Sequence, residues 1–463
     1  MPPARKPPGH PRLPAPGGLH RGINALHPTS GQPGERSRTL VHAGRRDEGH
    51  TRSLGRMRLS FRARRAAQLA LTANALHPLH GTHWGFPSFV TGWLTSELAP
   101  HLLALTLTDT AAHLALRGTR QADRAGLAAA ALSVAGLGSL ITSAQRARGV
   151  VEQALADALG PGYTGMLRPP PSPSDLATPW GQLVLPFRVR HPDVRTDRDI
   201  AYFQGGKRFL LDIHRPRRPG SGRPVLLQVH GGAWVSGNKG QQGVPLMLHM
   251  AARGWVCVAI NYPLSPTARW PQHIVAAKRA LAWVRKSIGD YGGDPSFVAA
   301  TGGSAGGHLA ALLALTPNDP AFQPGFEDAD THVQACVPHY GVYDFAATSG
   351  ARASEDRLRY LLARYVVGTD PRLSLDDYVA ASPLDRITRS APPFFVIHGE
   401  HDTLVPVREA REFVRRLRDV SAQPVAYAEI PGAQHAFDLF PSIRSAHVVR
   451  GVQRFLDWVH AHR

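Results

Sequence analysis

A serine bracketed by glycines, Gly302-Gly303-Ser304-Ala305-Gly306, is the pattern in this chain best suited to covalent chemistry. A short apolar run, 296–301, precedes it and an alanine- and leucine-rich run, 308–315, follows it. Strand, tight turn and helix therefore come in the order of a nucleophile elbow. Such a turn leaves no room for bulk two residues before or after the serine, and Gly302 and Gly306 meet that demand. It lifts the hydroxyl above the sheet edge, with a helix N-terminus beneath it that favours developing negative charge. A serine hydroxyl is a weak nucleophile by itself. It needs a base, a group that orients the base, and donors for the oxyanion.

Each requirement has a candidate elsewhere in the chain. His230-Gly231-Gly232-Ala233-Trp234 follows the apolar run 225–229, and its small residues let backbone N–H groups approach a substrate oxygen. The expected donors are Gly232, Ala233 and Ala305, the last being the residue after the serine. His435 lies in the loop after the last strand-like run, which singles it out among 24 histidines. Glu400 and Asp402 both follow the run 394–398. The order serine, acid, histidine is that of an α/β-hydrolase triad. In that geometry His435 takes the Ser304 proton, and the acid holds the imidazole tautomer and stabilises imidazolium.

Residues 180–463 resemble the hormone-sensitive-lipase-like group of bacterial α/β-hydrolases. The shared motifs are HGGAW at 230–234, YGGDP at 291–295, GGSAGG at 302–307, YGVYDF at 340–345 and HGEHDTLVP at 398–406. The resemblance favours Asp402 over Glu400. It implies hydrolysis of carboxylic esters, with short or medium acyl chains or lipid-derived esters expected, and no cofactor or metal. Ala233 stands where many relatives have glycine, a departure that touches substrate shape rather than chemistry. The whole chain is similar to membrane-associated mycobacterial and actinobacterial esterases. An amidase or arylformamidase would use the same triad. A non-catalytic binding protein on the same fold is a further alternative, although such proteins typically lose a triad member. In a third, a membrane scaffold, residues 58–158 do the work.

The elements that must position these residues alternate along 180–463. Strands are expected at 200–203, 209–214, 225–230, 256–261, 297–301, 335–339, 394–398 and 425–430. Helices are expected at 272–288, 305–315, 408–420 and 443–460. The first two strands form an antiparallel hairpin leading into a mostly parallel sheet with helices on both faces. Several nearby residues have two readings. Trp234 lines an acyl pocket or packs under its loop. Asp344 touches the site or fixes a loop, and Asp294 caps a turn. The stretch 353–367 is a lid or ordinary surface.

The rest of the chain differs in character. The formal charge is +19, but residues 1–65 hold 14 Lys and Arg against three acids, so much of the excess sits in one segment. Residues 1–56 are rich in Pro, Gly, Arg and His, which predicts a disordered basic tail. Met57 opens more ordinary sequence and is a candidate start. No aromatic residue precedes Phe61, so the basic segment lacks a base-stacking platform and nucleic acid is not the expected partner. Residues 57–159 are expected to form a helical, membrane-associated region. Residues 125–144 run uncharged for about one bilayer core, and 86–108 is a second candidate span, interrupted by Glu97, Pro100 and His101. Together they suggest a two-helix hairpin, with no side of the membrane indicated. A proline-rich linker, 160–179, precedes the catalytic domain. The two cysteines, Cys257 and Cys336, read as buried structural thiols, and the sequence leaves oligomeric state open.

Overall fold

Strands covered on both faces are nearly continuous apolar runs. β4 (Val256–Ile260), β6 (Ala335–His339) and β7 (Phe394–Gly399) fit that rule, being buried at every residue. The structure is a computed structural model that describes residues 59–463 except Thr82, Ser349 and Ala351. The expected basic tail, 1–56, and the candidate start Met57 lie outside the described residues.

The described strands form one sheet of eight, in the order β1-β2-β4-β3-β5-β6-β7-β8. The remaining strands are β1 (Val194–Ala201), β2 (Leu210–Pro216), β3 (Arg223–Val229), β5 (Gly293–Gly303) and β8 (Val425–Ile430). β2 pairs antiparallel with both β1 and β4; every other pairing is parallel. The expected hairpin and parallel sheet are therefore present. β5 runs longer than expected, Gly293–Gly303 rather than 297–301, and the first strand starts at Val194 rather than residue 200. As an edge strand it is largely solvent-facing and polar, so an apolar pattern finds only its end.

Helices cover both faces. α7 (Val244–Ala252) and α13 (Ile443–Ala461) lie on one face, against Leu226, Cys257, Ala299 and Phe395. α8 (Gln272–Ser287), α9 (Ala305–Leu315) and α12 (Val407–Val420) lie on the other, against Val225, Leu227, Val298 and Val396. The alternation of Val225, Leu226 and Leu227 between the two cores is the period-two signature of a strand. Shorter helices are α5 (Pro173–Leu176), α6 (Trp180–Leu183), α10 (Arg352–Arg357) and α11 (Leu375–Ala380).

The N-terminal helices are α1 (Phe61–Leu76), α2 (Gly85–Glu97), α3 (Ala99–Arg117) and α4 (Arg124–Leu159). One expectation needs correcting here. The candidate span 86–108 is not one helix: it breaks at Leu98, and Pro100 stands in the first turn of α3, where its missing N–H costs nothing. The described residues all belong to one compact unit. α4 explains why. Its buried stripe runs from Gly126 through Ala130, Ser133, Leu137 and Leu140 to Ala147, Val151 and Leu155. Its first half packs on α1, where glycines give close approach: a Cβ at Gly136 would lie 2.6 Å from the Thr72 side chain. Its second half, Ala147, Val151, Ala154, Leu155 and Leu159, joins the core shared by α7, α13 and the sheet. The proline-rich segment is docked as well, with Tyr163 and Leu167 in that core and Asp175 paired to Arg253.

If α4 is part of the core, trimming it must unfold the catalytic domain. Leu155→Ala, at a position 0% exposed, should cost about 2–5 kcal/mol in urea denaturation monitored by tryptophan fluorescence. A loss under about 0.5 kcal/mol would make the helix an appendage.

Candidate active site

Ser304 sits between β5 and α9 with φ 58° and ψ −123°, a left-handed conformation that costs about 1–3 kcal/mol for a residue with a side chain. Its surroundings impose that conformation. The Ser304 amide donates to the His339 carbonyl (3.0 Å), and the Ser304 carbonyl accepts from the His308 amide (3.0 Å). Both flanking glycines are required by contact: a Cβ on Gly302 would lie 2.4 Å from the Gly306 carbonyl oxygen, and one on Gly306 would lie 2.1 Å from that of Val229. Gly306→Ala should therefore lower both the melting temperature and the reactivity of Ser304 towards a fluorophosphonate. A fully reactive, equally stable variant would mean the elbow has slack.

His435 and Asp402 are paired. The imidazole Nδ1 lies 2.6 Å from Asp402 Oδ2, and both side chains are buried. The other carboxylate oxygen accepts from the amides of Leu404 (2.9 Å) and Val405 (2.8 Å). His398 Nε2 stands 3.3 Å from Asp402 Oδ2 while donating to the Val405 carbonyl (2.8 Å). Burial by itself would raise the Asp402 carboxyl, but His435 and His398 outweigh it and hold it well below the usual carboxylate range. In the same way burial disfavours a charged His398, yet Asp402 raises its pKa overall. Glu400, the rival acid, does not pair with His435; it accepts the Gly432 amide at 2.8 Å and shapes the histidine loop.

Ser304 follows β5, Asp402 follows β7 and His435 follows β8, so all three lie at the same C-terminal edge of the parallel strands. Tyr340, after β6, stands between them. Its ring centroid is 4.7 Å from that of His435, and its hydroxyl would lie 2.7 Å from a Cβ on Gly303. The Tyr340 hydroxyl donates to Asp438, which also meets His339 Nδ1 at 2.8 Å. Gln434 Oε1 accepts the amides of Thr403 (3.2 Å) and His435 (3.1 Å), joining the acid loop to the histidine loop. Phe89, on α2, presents a ring edge-on to His435 at 5.9 Å.

The loop after β3 carries three consecutive positive φ angles: 117° at Gly232, 54° at Ala233 and 61° at Trp234. A Cβ on Gly232 would fall 2.2 Å from the Ser236 carbonyl oxygen. Gly231 donates its amide to Gln242 Oε1, whereas no protein acceptor among the described residues takes the amides of Gly232, Ala233 or Ala305. His230 supports the loop from below, stacked on Tyr262 at 4.4 Å, while the Tyr262 hydroxyl donates to the His230 carbonyl (3.0 Å). Trp234 packs under the loop instead of lining an open pocket: it is 1% exposed and donates from Nε1 to His308 Nδ1 (3.3 Å). Asp344 accepts the Thr348 amide (2.9 Å) and Asp294 the Ser296 amide (2.8 Å), so both fix local chain turns. The stretch 353–367 is α10 running into a π-helical segment, Leu358–Val366, whose Leu362 and Val366 are in the core.

Sequence reasoning missed Phe89, Gln242, His398, Gln434 and Asp438. Tyr340 and His398 lie inside the shared motifs YGVYDF and HGEHDTLVP, but nothing in their spacing marks them. Among the described residues no cluster of three or more His, Cys, Asp or Glu is arranged to hold a metal.

A strained serine at a strand–helix turn, an aspartate and its paired histidine two and three strands along, and a glycine loop after β3 define the α/β-hydrolase class. The BD-FAE family model matches residues 211–417. A Mycobacterium tuberculosis protein described as probable carboxylic ester hydrolase LipM is 46% identical, over 86% of this chain and 92% of its own. Esterase LipQ of the same organism is 43% identical, over 81% and 85%. The chain belongs to this carboxylic ester hydrolase family. Among solved structures, Thermogutta terrifontis esterase 2 with bound propionate is 26% identical with a TM-score of 0.43, over 53% of this chain and 86% of its own.

The buried histidines set the acid limit of the fold. Burial pushes the pKa of His214, His230, His249, His273 and His447 down to about 4 and that of His308 to about 3. Between those values and about 6.5, the ordinary histidine pKa, the unfolded chain binds protons that the folded chain refuses. Stability is thus full above about pH 6.5 and falls as pH drops towards 4, each group adding to the slope. Urea midpoints measured from pH 7.5 to 4.5 should decline steeply. Flat midpoints would contradict neutral burial.

Proposed function

We propose that this chain is a serine carboxylesterase working through an acyl-enzyme on Ser304. The observation that carries it is the 2.6 Å hydrogen bond between His435 and an ionised Asp402, at the sheet edge that also bears the strained Ser304. Ser304 Oγ attacks the ester carbonyl carbon as His435 Nε2 takes its proton. The oxyanion is met by the amides of Gly232, Ala233 and Ala305. Collapse breaks the bond to the alcohol oxygen, which leaves with the proton from His435. Water, deprotonated by His435, then attacks the acyl-enzyme; the acid departs and Ser304 regains its proton. Asp402 keeps Nδ1 protonated throughout, leaving Nε2 free for the transfers.

Ser304→Ala should abolish covalent labelling by a fluorophosphonate, and Asp402→Asn should lower kcat by roughly 10³–10⁴ without loss of fold. Labelling that survives Ser304→Ala would remove Ser304 from the mechanism. The expected substrates have short or medium acyl chains or are lipid-derived. An amidase or arylformamidase would share every step, so matched p-nitrophenyl esters and anilides of rising acyl length separate the readings.

The same reading places the enzyme in contact with a membrane through its N-terminal helices. Two observations support it. α4 has the length and composition to cross a bilayer, and most of its apolar stretch is not buried. Leu105, Leu107 and Leu116 on α3 and Leu132 on α4 are exposed. The expected result is co-flotation of the full chain with lipid vesicles, weakened by glutamate at Leu105 and Leu116. Flotation indifferent to both substitutions would rule these helices out as the contact.

A further inference from the structure

α2 turns one face to the catalytic loops along its whole length. Gly85, Phe89, Gly92 and Ser96 follow one another at helical spacing, and each meets something that matters. The Gly85 carbonyl accepts from Thr403 Oγ1 (2.8 Å), next to Asp402. Phe89 lies against the His435 ring, and a Cβ on Gly92 would be 3.6 Å from Gln434 Cγ. At the far end are Ser96 and its neighbour Glu97, where a charged cluster is shut inside the protein. Arg444, on α13, is 0% exposed. Its Nη1 donates to Glu97 Oε1 and to Ser96 Oγ, each at 2.9 Å. Its Nε donates to the carbonyl of Pro431 at 2.8 Å, and Pro431 opens the loop that carries His435. Glu97 Oε2 accepts from Ser442 Oγ (2.6 Å), and Ser143 of α4 lies 3.4 Å from Arg444 Nη2.

We propose that Glu97 and Arg444 are positioning residues, through which the N-terminal helices hold His435 in register with Asp402. The proposal rests on the esterase reading above and adds to it a role for the first helices. A fully buried ion pair is a poor source of net stability, because desolvating two charges offsets their attraction, and apolar residues of similar size often do as well. What this pair supplies is direction. The guanidinium fork is rigid, so fixing its Nη1 on Glu97 aims its Nε at Pro431. Gly432 is then pinned between that fork and α4: a Cβ there would lie 2.8 Å from Ser143 Oγ and 3.1 Å from Arg444 Nη2. With the loop base fixed, the imidazole three residues on has little freedom to leave Asp402. A misplacement of about 1 Å is enough to cost roughly a hundredfold in rate.

The test uses the full-length protein carrying Glu97→Gln, Arg444→Met, or Glu97→Met with Arg444→Met together. The readings are kcat and KM for a soluble activated ester, the rate of fluorophosphonate labelling, and the melting temperature. For the single variants kcat and the labelling rate should fall about 10- to 100-fold while KM stays within about threefold. The paired Met variant separates positioning from simple structural support. It should recover most of the melting temperature, having no buried charge left alone, yet keep the low kcat. The proposal is overturned if Glu97→Gln retains wild-type kcat, if activity tracks only the folded fraction, or if the paired variant regains kcat along with stability. Glu97→Gln changes a single atom and keeps the test available should Arg444→Met not fold. Wild-type enzyme and Ser304→Ala run alongside: a wild-type chain that neither labels nor hydrolyses esters would sink the esterase reading itself, a result distinct from failure of the clamp.

Discussion

The backbone at the first turn of α9 lies against the last residue of β3, and the whole sheet edge is arranged around that contact. Gly306 touches the carbonyls of Val229 and His230 at distances no Cβ would permit. Two things follow from one close approach. The chain at Ser304 must turn through a left-handed conformation, and the loop that begins at His230 must start beside the serine. The proposed nucleophile and a row of amides are thereby brought together by the packing of one strand against one helix. Neither depends on a flexible side chain finding its place.

The polar groups around that contact fall into two electrostatic kinds. His230 and His308 are buried against rings and carbonyls and are kept neutral by the cost of charging them there. They serve as shaped supports under the glycine loop, His308 linking Trp234 to the Ala381 carbonyl. Asp402 is equally buried, yet it is held ionised by two backbone amides and two imidazoles. Burial alone does not decide protonation; the number of donors aimed at the group does. Charge is thus held beside His435 and kept off the two histidines under the glycine loop.

The N-terminal helices show how one composition can answer to two solvents. Their alanine, glycine and leucine content suits a bilayer, but one face of α4 meets protein. The small residues of α4 admit α1, and its later half fills the core under β8 and α13. α2 is apolar because it covers the catalytic loops, and its one acid, Glu97, is matched by a buried arginine from the other end of the chain. Hydropathy records how apolar a segment is and is blind to what the apolar face meets.

Read as a string, the chain declared the hydrolase sheet almost strand by strand, because buried parallel strands must be continuous apolar runs and the glycines of an elbow must recur at fixed spacing. It also named Ser304, Asp402 and His435 as candidates, since chain order and position after a strand are local properties. Which acid meets the imidazole was not local: only the fold puts Asp402 at 2.6 Å and turns Glu400 towards Gly432. The same holds for Tyr340, Gln434, Phe89 and the Glu97–Arg444 pair, whose members are brought together from distant points along the chain. Sequence periodicity reports which face of an element is buried. The identity of the partner on that face is a long-range fact, set when helices and sheet pack in three dimensions.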